Sequence, residues 1–467
     1  MRLIWSDRLA RTPPRGGMTS QINIEVKEVV PSARRLSETL RDTGHDFNTA
    51  VADLIDNCIS AGATEVKITA RFNEGDPWIR IADNGSGMVP EVLDEALRFG
   101  SEIEQYAADD LGKFGIGLKT ASHSQCRRLI VATRPRKNSP IHCRVHDLDH
   151  LGASNRWEIE VVSADAVPVR ASQPLSQDRV GTVVLWENLD RLRHYVAPTG
   201  KHARDGFNRR LDELNQYLGM VFHRFLEGSV PKRSRLKIWI ENEVVSAWDP
   251  FCRDAPQTET WLEQMYEVHA GNLRGAALLT PYVLPTSHEF ETSDSHSSAG
   301  GRRGWNESQG FWIYRANRLI QDGGWCNIRK RDEHTKLARA ALDFEPAMDA
   351  AFRIDLGKMR VILPEEMRDE LKGFVSQYTG QARKRYDAGE SSAVGTGRQS
   401  GTGGKRGGAQ GGGASTQTGK AGRRTAARIA AALEEAANNT DTVEALESIK
   451  SEVRRIDDRS AGDLGWR

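Results

Sequence analysis

The sequence predicts an α+β protein with two folded units, followed by a flexible linker and a terminal helix. Three observations lead to this architecture. Helix-period and strand-period apolar patterns alternate up to about residue 387, a Gly-, Ser- and Thr-rich stretch follows, and helical spacing returns after it. With 467 residues, 38% of them hydrophobic, the chain has enough material for more than one core.

Charge and cysteine content exclude several classes of protein. Lys and Arg total 65 against 64 Asp and Glu, so a uniformly basic nucleic-acid coat is excluded and any charged partner must meet a local patch. The five cysteines show no metal-ligand spacing, which predicts a reduced, cytoplasmic protein without structural zinc. No run approaches the ~18 apolar residues that span a bilayer, so no membrane partner is expected.

The first unit is predicted over residues 21–230. Residues 1–20 read as a disordered leader, or as untranslated sequence if synthesis starts at Met18. Within the unit, apolar spacing predicts helices over residues 31–40, 47–60 and 91–99 and a long one carrying Phe207 to Phe225, and strands over 65–71, 78–82, 128–133, 157–162 and 182–186.

The second unit is predicted over residues 231–387. Its strand signals lie at 236–240, 276–284, 311–320 and 352–355, an exposed loop is expected over 287–309, and a final helix begins at Glu365. Residues 388–424 have almost no apolar side chains and several Lys and Arg, which predicts a flexible basic linker. Residues 425–458 regain helical spacing with one apolar face, and this face needs a partner.

The predicted helix 47–60 has an unusual polar face. Asp53 and Asn57 lie four residues apart and therefore point the same way. A carboxylate there is able to polarise a water molecule, and a carboxamide oxygen is a suitable ligand for Mg²⁺. The alternative is an ordinary solvated face, and this motif alone does not decide between the two.

A first glycine box follows the predicted strand 78–82. It begins with Asp83 and continues through Gly85, Gly87 and Met88. The glycines allow the backbone to turn tightly against a flat ligand, and the carboxylate is able to accept a hydrogen bond from an exocyclic amine. The alternative is a simple Asp-Asn-Gly turn.

A second glycine box precedes another helical start. Gly112, Lys113, Phe114, Gly115 and Gly117 form it, and their backbone amides suit a phosphate group at the start of a helix. The box lacks the Gly-Lys-Ser/Thr ending of a P-loop, and no acid follows at the spacing of a dinucleotide-binding fold. A flexible glycine turn is the alternative.

Taken together and in this order, the motifs resemble the GHKL, or Bergerat-fold, ATPase family of DNA gyrase B, heat-shock-90 chaperones, histidine kinases and MutL. Residues 53–57 look like its acid-x-x-x-Asn motif, and residues 83–87 and 112–117 look like its two glycine boxes. Gly181 and Thr182 match the threonine that commonly supports the adenine-binding acid. The resemblance covers residues 31–189 firmly and the next unit more loosely.

The resemblance implies an α/β sandwich with a mixed sheet and helices on one face. It also implies ATP and Mg²⁺ as ligands, with Asn57 as the metal ligand, Asp83 on the adenine amine with Thr182 close by, and residues 101–111 as a lid. The other implied ATP-binding residues are Gly85, Gly87, Met88, Gly112, Lys113, Phe114, Gly115 and Gly117.

One residue departs from the family pattern. Most hydrolysing relatives have Glu where this chain has Asp53, the implied catalytic base. Misplacing a catalytic carboxylate by ~1 Å lowers the rate on the order of 100-fold, so slow ATP hydrolysis is the alternative to efficient turnover.

The second unit resembles the β-α-β transducer domain of MORC-like and MutL-like ATPases, mainly through residues 310–320. A transducer lysine in those families reaches the γ-phosphate, which implies a catalytic role for Lys358, with Lys330 as the alternative. A solvated surface lysine remains open for both. No phospho-acceptor histidine helix is recognisable, which argues against a sensor kinase.

The resemblance implies an ATPase whose homodimer closes on ATP and acts on DNA or in defence. The basic linker is a candidate DNA contact, although a plain tether explains it as well. Two alternatives are a chaperone-like or scaffold protein that clamps a protein client, with the terminal helix as its docking element, and a nucleotide-gated binding module that scarcely hydrolyses.

Overall fold

A computed structural model describes residues 26–27, 29–42, 45–100, 117–176, 179–192, 199–271, 273–354, 361–396, 447 and 450–451. Contacts divide the chain into residues 1–397 and residues 398–467. The predicted leader and residues 397–424 of the predicted linker lie outside the described residues. Of the predicted terminal segment at 425–458, only residues 447, 450 and 451 are described, and they are helical. The fold below therefore concerns residues 26–396.

The first sheet has eight strands. They are β1 (Glu65–Arg71), β2 (Trp78–Asp83), β3 (Arg128–Arg134), β4 (His142–Asp147), β5 (Glu160–Val162), β6 (Gly181–Glu187), β7 (Lys237–Ile240) and β8 (Glu243–Val244). Their order is β5-β4-β3-β6-β2-β1-β7-β8, and every neighbouring pair is antiparallel except the parallel pair β1 and β7. This mixed sheet confirms the predicted α+β class.

Eight helices accompany this sheet: α1 (Ala33–Arg41), α2 (Phe47–Ser60), α3 (Pro90–Leu97), α4 (Gly117–Gln125), α5 (Leu148–Ser154), α6 (Val169–Ser172), α7 (Lys201–Val221) and α8 (His223–Glu227). The long helices α2 and α7 share one apolar core with the sheet. The four-residue α6 covers the opposite face, where Ala171 packs in a smaller core with Ile130 and Val183.

Helix α2 is the best defined of these elements at both ends. The Asp46 side chain caps it by accepting the Thr49 N–H at 2.8 Å, and Gly62 follows its end with a left-handed φ of 74°. The helix is buried along almost its whole length, because apolar residues occupy most of its circumference. Its few polar side chains are therefore held by a rigid support.

The second sheet contains β9 (Glu259–Thr260), β10 (Gln264–Ala270), β11 (Leu273–Val283), β12 (Gly310–Arg315), β13 (Arg318–Asp322) and β14 (Ala338–Phe344). Its order is β10-β11-β14-β12-β13, with β9 on β11 and a parallel pair at β12 and β14. Its helices are α9 (Ser293–Ala299), α10 (Trp305–Ser308), α11 (Asp349–Phe352) and α12 (Glu365–Thr396), and α12 packs its apolar residues on the sheet core.

Several sequence predictions for the second half require correction. The strand at 236–240 pairs with β1 in the first sheet, so that sheet extends past residue 230. The single strand at 311–320 is a hairpin, β12 and β13. The predicted strand at 352–355 is wrong where it is described, because Phe352 ends helix α11 and residues 353–354 lie in no strand, and residue 355 is outside the described residues. The loop at 287–309 contains α9 and α10, and α12 continues to Thr396 rather than giving way to linker at residue 388.

Buried polar contacts join the second sheet to the first unit. The Arg224 guanidinium pairs with the Asp343 carboxylate and lies over the Tyr314 ring at 3.6 Å, while the Tyr314 hydroxyl lies 2.8 Å from His223 Nε2. Leu319 also enters the apolar core beside α2 and α7. The second sheet is thus packed directly against the elements that carry the candidate site.

Among the described residues, no helix has both the length and the apolar content required to cross a bilayer.

Candidate functional site

The carboxylate of Asp83 lies at the end of β2 and is the best-defined polar group of the site. Its Oδ1 accepts the Gly85 N–H at 2.7 Å and the Thr182 N–H at 3.3 Å. Burial raises the pKa of Asp83 to about 6, although these two bonds and one from the Cys58 thiol oppose the rise. The carboxylate is consequently a positioned acceptor that changes charge close to neutral pH.

A threonine pair joins three segments beside Asp83. Thr133 Oγ1 accepts the Met88 N–H at 2.9 Å and donates to the Gly181 carbonyl at 3.1 Å. The Thr182 hydroxyl lies 3.1 Å from Thr133 Oγ1, because the two residues face each other in the β3/β6 register. The first glycine box is therefore fixed to the ends of β3 and β6.

Three glycines sit where a side chain has no room. A Cβ on Gly181, whose φ is 147°, would lie 2.0 Å from the Asp83 carbonyl oxygen, and one on Gly87, whose φ is 64°, would lie 2.4 Å from that of Arg134. A Cβ on Gly85 would lie 2.9 Å from Ala61. Bare backbone is thus required where the sequence predicts a flat ligand.

Asp53 and Asn57 lie on α2, as their spacing predicts, but they differ in exposure. Asp53 is 4% exposed, and Asn57 is exposed to solvent. Asp53 Oδ2 lies 3.8 Å from His45 Nδ1, and Asp53 Oδ1 lies 3.9 Å from Arg318 Nη2. Gly117, the first residue of α4, is close enough for a Cβ to lie 3.8 Å from Asp53 Oδ2. The structure therefore brings the acid and the end of the second glycine box together.

Other predicted site residues fall outside the described residues. These are Gly112, Lys113, Phe114, Gly115 and Lys358, together with the lid at 101–111. Lys330 is described, and it is exposed in a cleft of the second unit beside α12.

Sequence reasoning missed three polar residues around the site. Thr133 is fully buried in the threonine pair, and Arg318 from β13 is fully buried against α2. Lys119 on α4 donates to the Ala96 carbonyl at 2.9 Å, and burial lowers the pKa of its ammonium group to about 8. Its position two residues after Gly117 is the one sequence signal for a cation at this helix start.

One carboxylate and histidine cluster lies away from this site, where the sequence predicts no metal ligands. Ligand atoms of His223, Glu227 and Asp249 lie within 4.8 Å of one another. However, the Arg253 guanidinium lies 2.8 Å from Glu227 and 3.0 Å from Asp249. Because the Arg253 guanidinium pairs with both acids, we interpret the cluster as an ion-pair network rather than a metal centre.

Comparison with known proteins addresses the region around these residues. Residues 45–182 match the family model described as "Histidine kinase-, DNA gyrase B-, and HSP90-like ATPase". The match contains α2, both glycine boxes and Thr182, and it confirms the resemblance inferred from the motifs.

Three curated proteins are similar over short segments. Protein MICRORCHIDIA 7 of Arabidopsis thaliana is 33% identical over 90 residues, which are 18% of this chain and 13% of that protein. Protein MICRORCHIDIA 4 of the same plant is 34% identical over 98 residues, 20% of this chain and 12% of that protein. DNA mismatch repair protein MutL of Azorhizobium caulinodans is 35% identical over 94 residues, which are 20% of this chain and 15% of that protein. The chain thus spans a small part of each relative.

We expect Gly181→Ala to lower the free energy of unfolding by about 1–3 kcal/mol, because the new methyl group collides with the Asp83 carbonyl. Urea unfolding followed by tryptophan fluorescence measures this change. Gly152→Ala in α5 is the matched control, since no atom lies within 4 Å of its Cβ position. Equal stability of Gly181→Ala and the wild type would contradict the steric argument.

Proposed function

Because the chain carries an ATP-binding domain of the GHKL-type ATPase family over residues 45–182, we propose that it hydrolyses ATP with Mg²⁺ and closes as a homodimer clamp on DNA. The observation that carries the proposal is the half-buried Asp83 carboxylate, held by the amides of Gly85 and Thr182. The clamp and the DNA target go beyond the matched domain, and the remaining support for them is given below.

The Asp83 end of the site suits an adenine ring. Both backbone N–H bonds converge on Oδ1, so the carboxylate has acceptor capacity left for an exocyclic amine. The glycine box packs tightly on the rest of the domain, because Gly85 lies against Ala61 and Gly87 lies against the Arg134 carbonyl, and this holds the loop in place beside the carboxylate. Thr133 and Thr182 add hydroxyl groups beside the same carboxylate. Hence we assign adenine recognition to this end.

The α2 end suits the phosphates and the hydrolytic water. Asn57 exposes a carboxamide oxygen one helical turn from Asp53, and hard oxygen donors of this kind fit Mg²⁺. When bound, the cation would offset the charge of the phosphates. Asp53 is the candidate base, because its carboxylate lies beside the start of α4, where the second glycine box ends. Lys358 stays the candidate γ-phosphate sensor, with Lys330 as the alternative.

A second candidate function is a nucleotide-gated binding module with little hydrolysis. Asp53 is one methylene shorter than glutamate, and it is buried between His45 and Arg318. A short acid in a fixed place has little freedom to approach a water molecule. In this alternative, ATP binding alone closes the dimer, and turnover is too slow to reopen it during use.

A cleft in the second unit supports DNA as the target. Arg329, Lys330, Arg331 and Lys372 line a space of about 470 Å³, whereas Asp332 is the acid in its lining. Asp332 is paired with Arg383 at 2.7 Å. Of the four cations, Arg331 is paired with Glu307 at 3.0 Å and Lys372 with Asp369 at 2.6 Å, which leaves Arg329 and Lys330 as the cations of the lining without an acid within 4 Å among the described residues. Cations grouped on one surface are the ordinary contact for a phosphate backbone.

Sequence alone supports the other parts of the proposal. The basic linker after α12 is a second candidate DNA contact, and the terminal segment at 425–458 is a candidate dock for a protein partner. We place the protein in the cytoplasm, and its five free cysteines agree with a reducing compartment.

We expect Asp53→Ala to bind ATP but to lose hydrolysis, because it removes the base and keeps the adenine and phosphate contacts. Asn57→Ala is expected to lose ATP-dependent dimerisation, since it removes the Mg²⁺ ligand. Phosphate release, nucleotide titration calorimetry and light scattering in ADP and in a non-hydrolysable ATP analogue measure these properties.

Gly152→Ala again serves as the control, because it lies on α5 away from α2. Unchanged turnover in Asp53→Ala would reject Asp53 as the base. If the wild type forms dimers with the ATP analogue but releases no measurable phosphate from ATP, the nucleotide-gated binding module is the correct function instead.

We expect ADP affinity to fall as the pH drops through about 6, where the Asp83 carboxylate takes up a proton. The limit is ~10-fold in Kd per pH unit, because the amine binds best to the ionised form. The stability of the nucleotide-free protein is expected to change in the opposite direction to the ADP affinity. Because folding raises the pKa of Asp83, its contribution to the free energy of unfolding grows as the pH falls from 6 towards 4.

Asp83→Asn tests both signs. Its ADP affinity is expected to be weak and flat between pH 5 and 7, and the difference in unfolding free energy between it and the wild type isolates the contribution of Asp83. A wild-type ADP affinity that is independent of pH over this range would contradict the assignment of Asp83 to the adenine.

We expect Lys330→Glu with Lys372→Glu to weaken DNA binding and to lower the slope of log Kd against log salt by about 2, one counterion per lost contact. Fluorescence anisotropy with a DNA duplex at several salt concentrations measures both. Lys201→Glu with Lys237→Glu makes the same charge change on exposed lysines outside the cleft.

Equal DNA binding by the two double variants would show that the cleft does not contact DNA. Deletion of residues 397–424 then tests the linker, and this boundary leaves α12 intact because the helix ends at Thr396.

A further inference from the structure

We propose that Arg318 is a positioning residue of the nucleotide site, which holds the α2 carboxylates of Asp53 and Asp56 from the second sheet. The inference rests on the proposed function, because it concerns the placement of the candidate base Asp53. Arg318 is the first residue of β13 and lies 262 positions from Asp56 in the chain, so the contact exists only in the folded protein.

The guanidinium of Arg318 reaches both acids. Its Nε donates to Asp56 Oδ1 at 3.2 Å, and its Nη1 donates to the Leu319 carbonyl at 3.1 Å. Its Nη2 lies 3.9 Å from Asp53 Oδ1. Since Asp53 and Asp56 are three residues apart, they project from the same side of α2, and one arginine is able to face both.

The environment of these groups makes the contact strong. The Arg318 side chain is 2% exposed and Asp56 is fully buried. Burial alone would lower the pKa of Arg318, but the carboxylates of Asp56 and Asp53 outweigh it and raise the pKa, so the guanidinium stays charged. Buried charges of opposite sign hold each other in place, because separating them leaves a charge without compensation.

The backbone that carries Arg318 is also rigid. Ala316 and Asn317 form a two-residue turn with φ values of 46° and 68°, the left-handed pair that matches the twist of a hairpin. Trp312, Tyr314 and Leu319 of the same hairpin enter the core that contains α2. A displacement of the second sheet therefore moves Arg318, and Arg318 moves the α2 carboxylates.

The distance to Asp53 indicates positioning rather than blocking. At 3.9 Å, Arg318 Nη2 attracts the Asp53 carboxylate without the short geometry of a hydrogen bond. The firm bond is to Asp56, one helical turn from the candidate base. Arg318 thus fixes the helix turn on which Asp53 sits and takes no part in proton transfer.

The test uses the full-length chain with R318Q and, as matched control, R315Q. Arg315 lies opposite Arg318 in the hairpin register and forms its own buried pair with Asp349, at 2.7 and 2.9 Å, away from α2. We expect R318Q to lower kcat for ATP hydrolysis on the order of 100-fold with unchanged Kd for ADP, whereas R315Q keeps kcat despite a lower Tm.

A double variant separates positioning from stability. D56N in the R318Q background removes the carboxylate left without its cation, so we expect Tm to recover while kcat stays low. R318K is expected to recover kcat in part, since an ammonium group pairs with one acid but lacks the fork of a guanidinium. Recovery of kcat together with Tm in D56N/R318Q would overturn the inference, because Arg318 would then act through stability alone.

Hydrogen exchange extends the test to a chain that binds nucleotide without measurable turnover. With a non-hydrolysable ATP analogue bound, we expect protection of amides in residues 313–319 in the wild type and in R315Q, but not in R318Q. Equal protection in all three would overturn the inference and leave the proposed function standing. A wild-type chain that binds no nucleotide would overturn the proposed function and this inference with it.

Discussion

The candidate nucleotide site depends on a half-buried carboxylate and a buried hydroxyl that together join the ends of β2 and β3 to the start of β6. Asp83 at the end of β2 accepts the amides of Gly85 and Thr182, and Thr133 at the end of β3 bonds to Met88 and Gly181. Each bond satisfies a buried polar group that would otherwise be costly, so the segments hold one another in register. The backbones of β2 and β6 are also held close together at this point, because no side chain fits between Gly181 and the Asp83 carbonyl.

Helix α2 connects the hydrogen-bond network around Asp83 to the rest of the chain. One side of the helix packs on the sheet, Cys58 contributes its thiol to Asp83, and Asp53 and Asp56 face Arg318 of the second sheet. A rigid helix transmits displacement along its length because its core contacts leave few alternative arrangements. The Asp83 end and the Asp53 end of the candidate site are therefore connected through a single element.

Local sequence patterns predicted much of the first unit. Most differences between the predicted and the observed elements come from pairing between residues far apart in the chain. Helix α2 and strand β1 begin and end where the sequence places them, because their periodicity is strong and Gly62 ends the helix. The assignment of β7 to the second unit failed because a parallel partner far along the chain leaves no local trace. The β12/β13 hairpin was missed since Ala316 is an unusual residue for a left-handed turn. Arg318 and Thr133 look like ordinary strand residues, and only the fold reveals their partners.

The position of the Asp53 carboxylate is linked electrostatically to the buried arginine at position 318. Two buried carboxylates on α2 face the guanidinium of Arg318, and His45 lies 3.8 Å from Asp53 on the other side. A glutamate at position 53 would carry its charge one methylene farther from the helix. With aspartate the charge stays near the helix surface, within 3.9 Å of Arg318, and its position is set by the second sheet. The shorter side chain thus keeps its charge close to the arginine that the second sheet supplies.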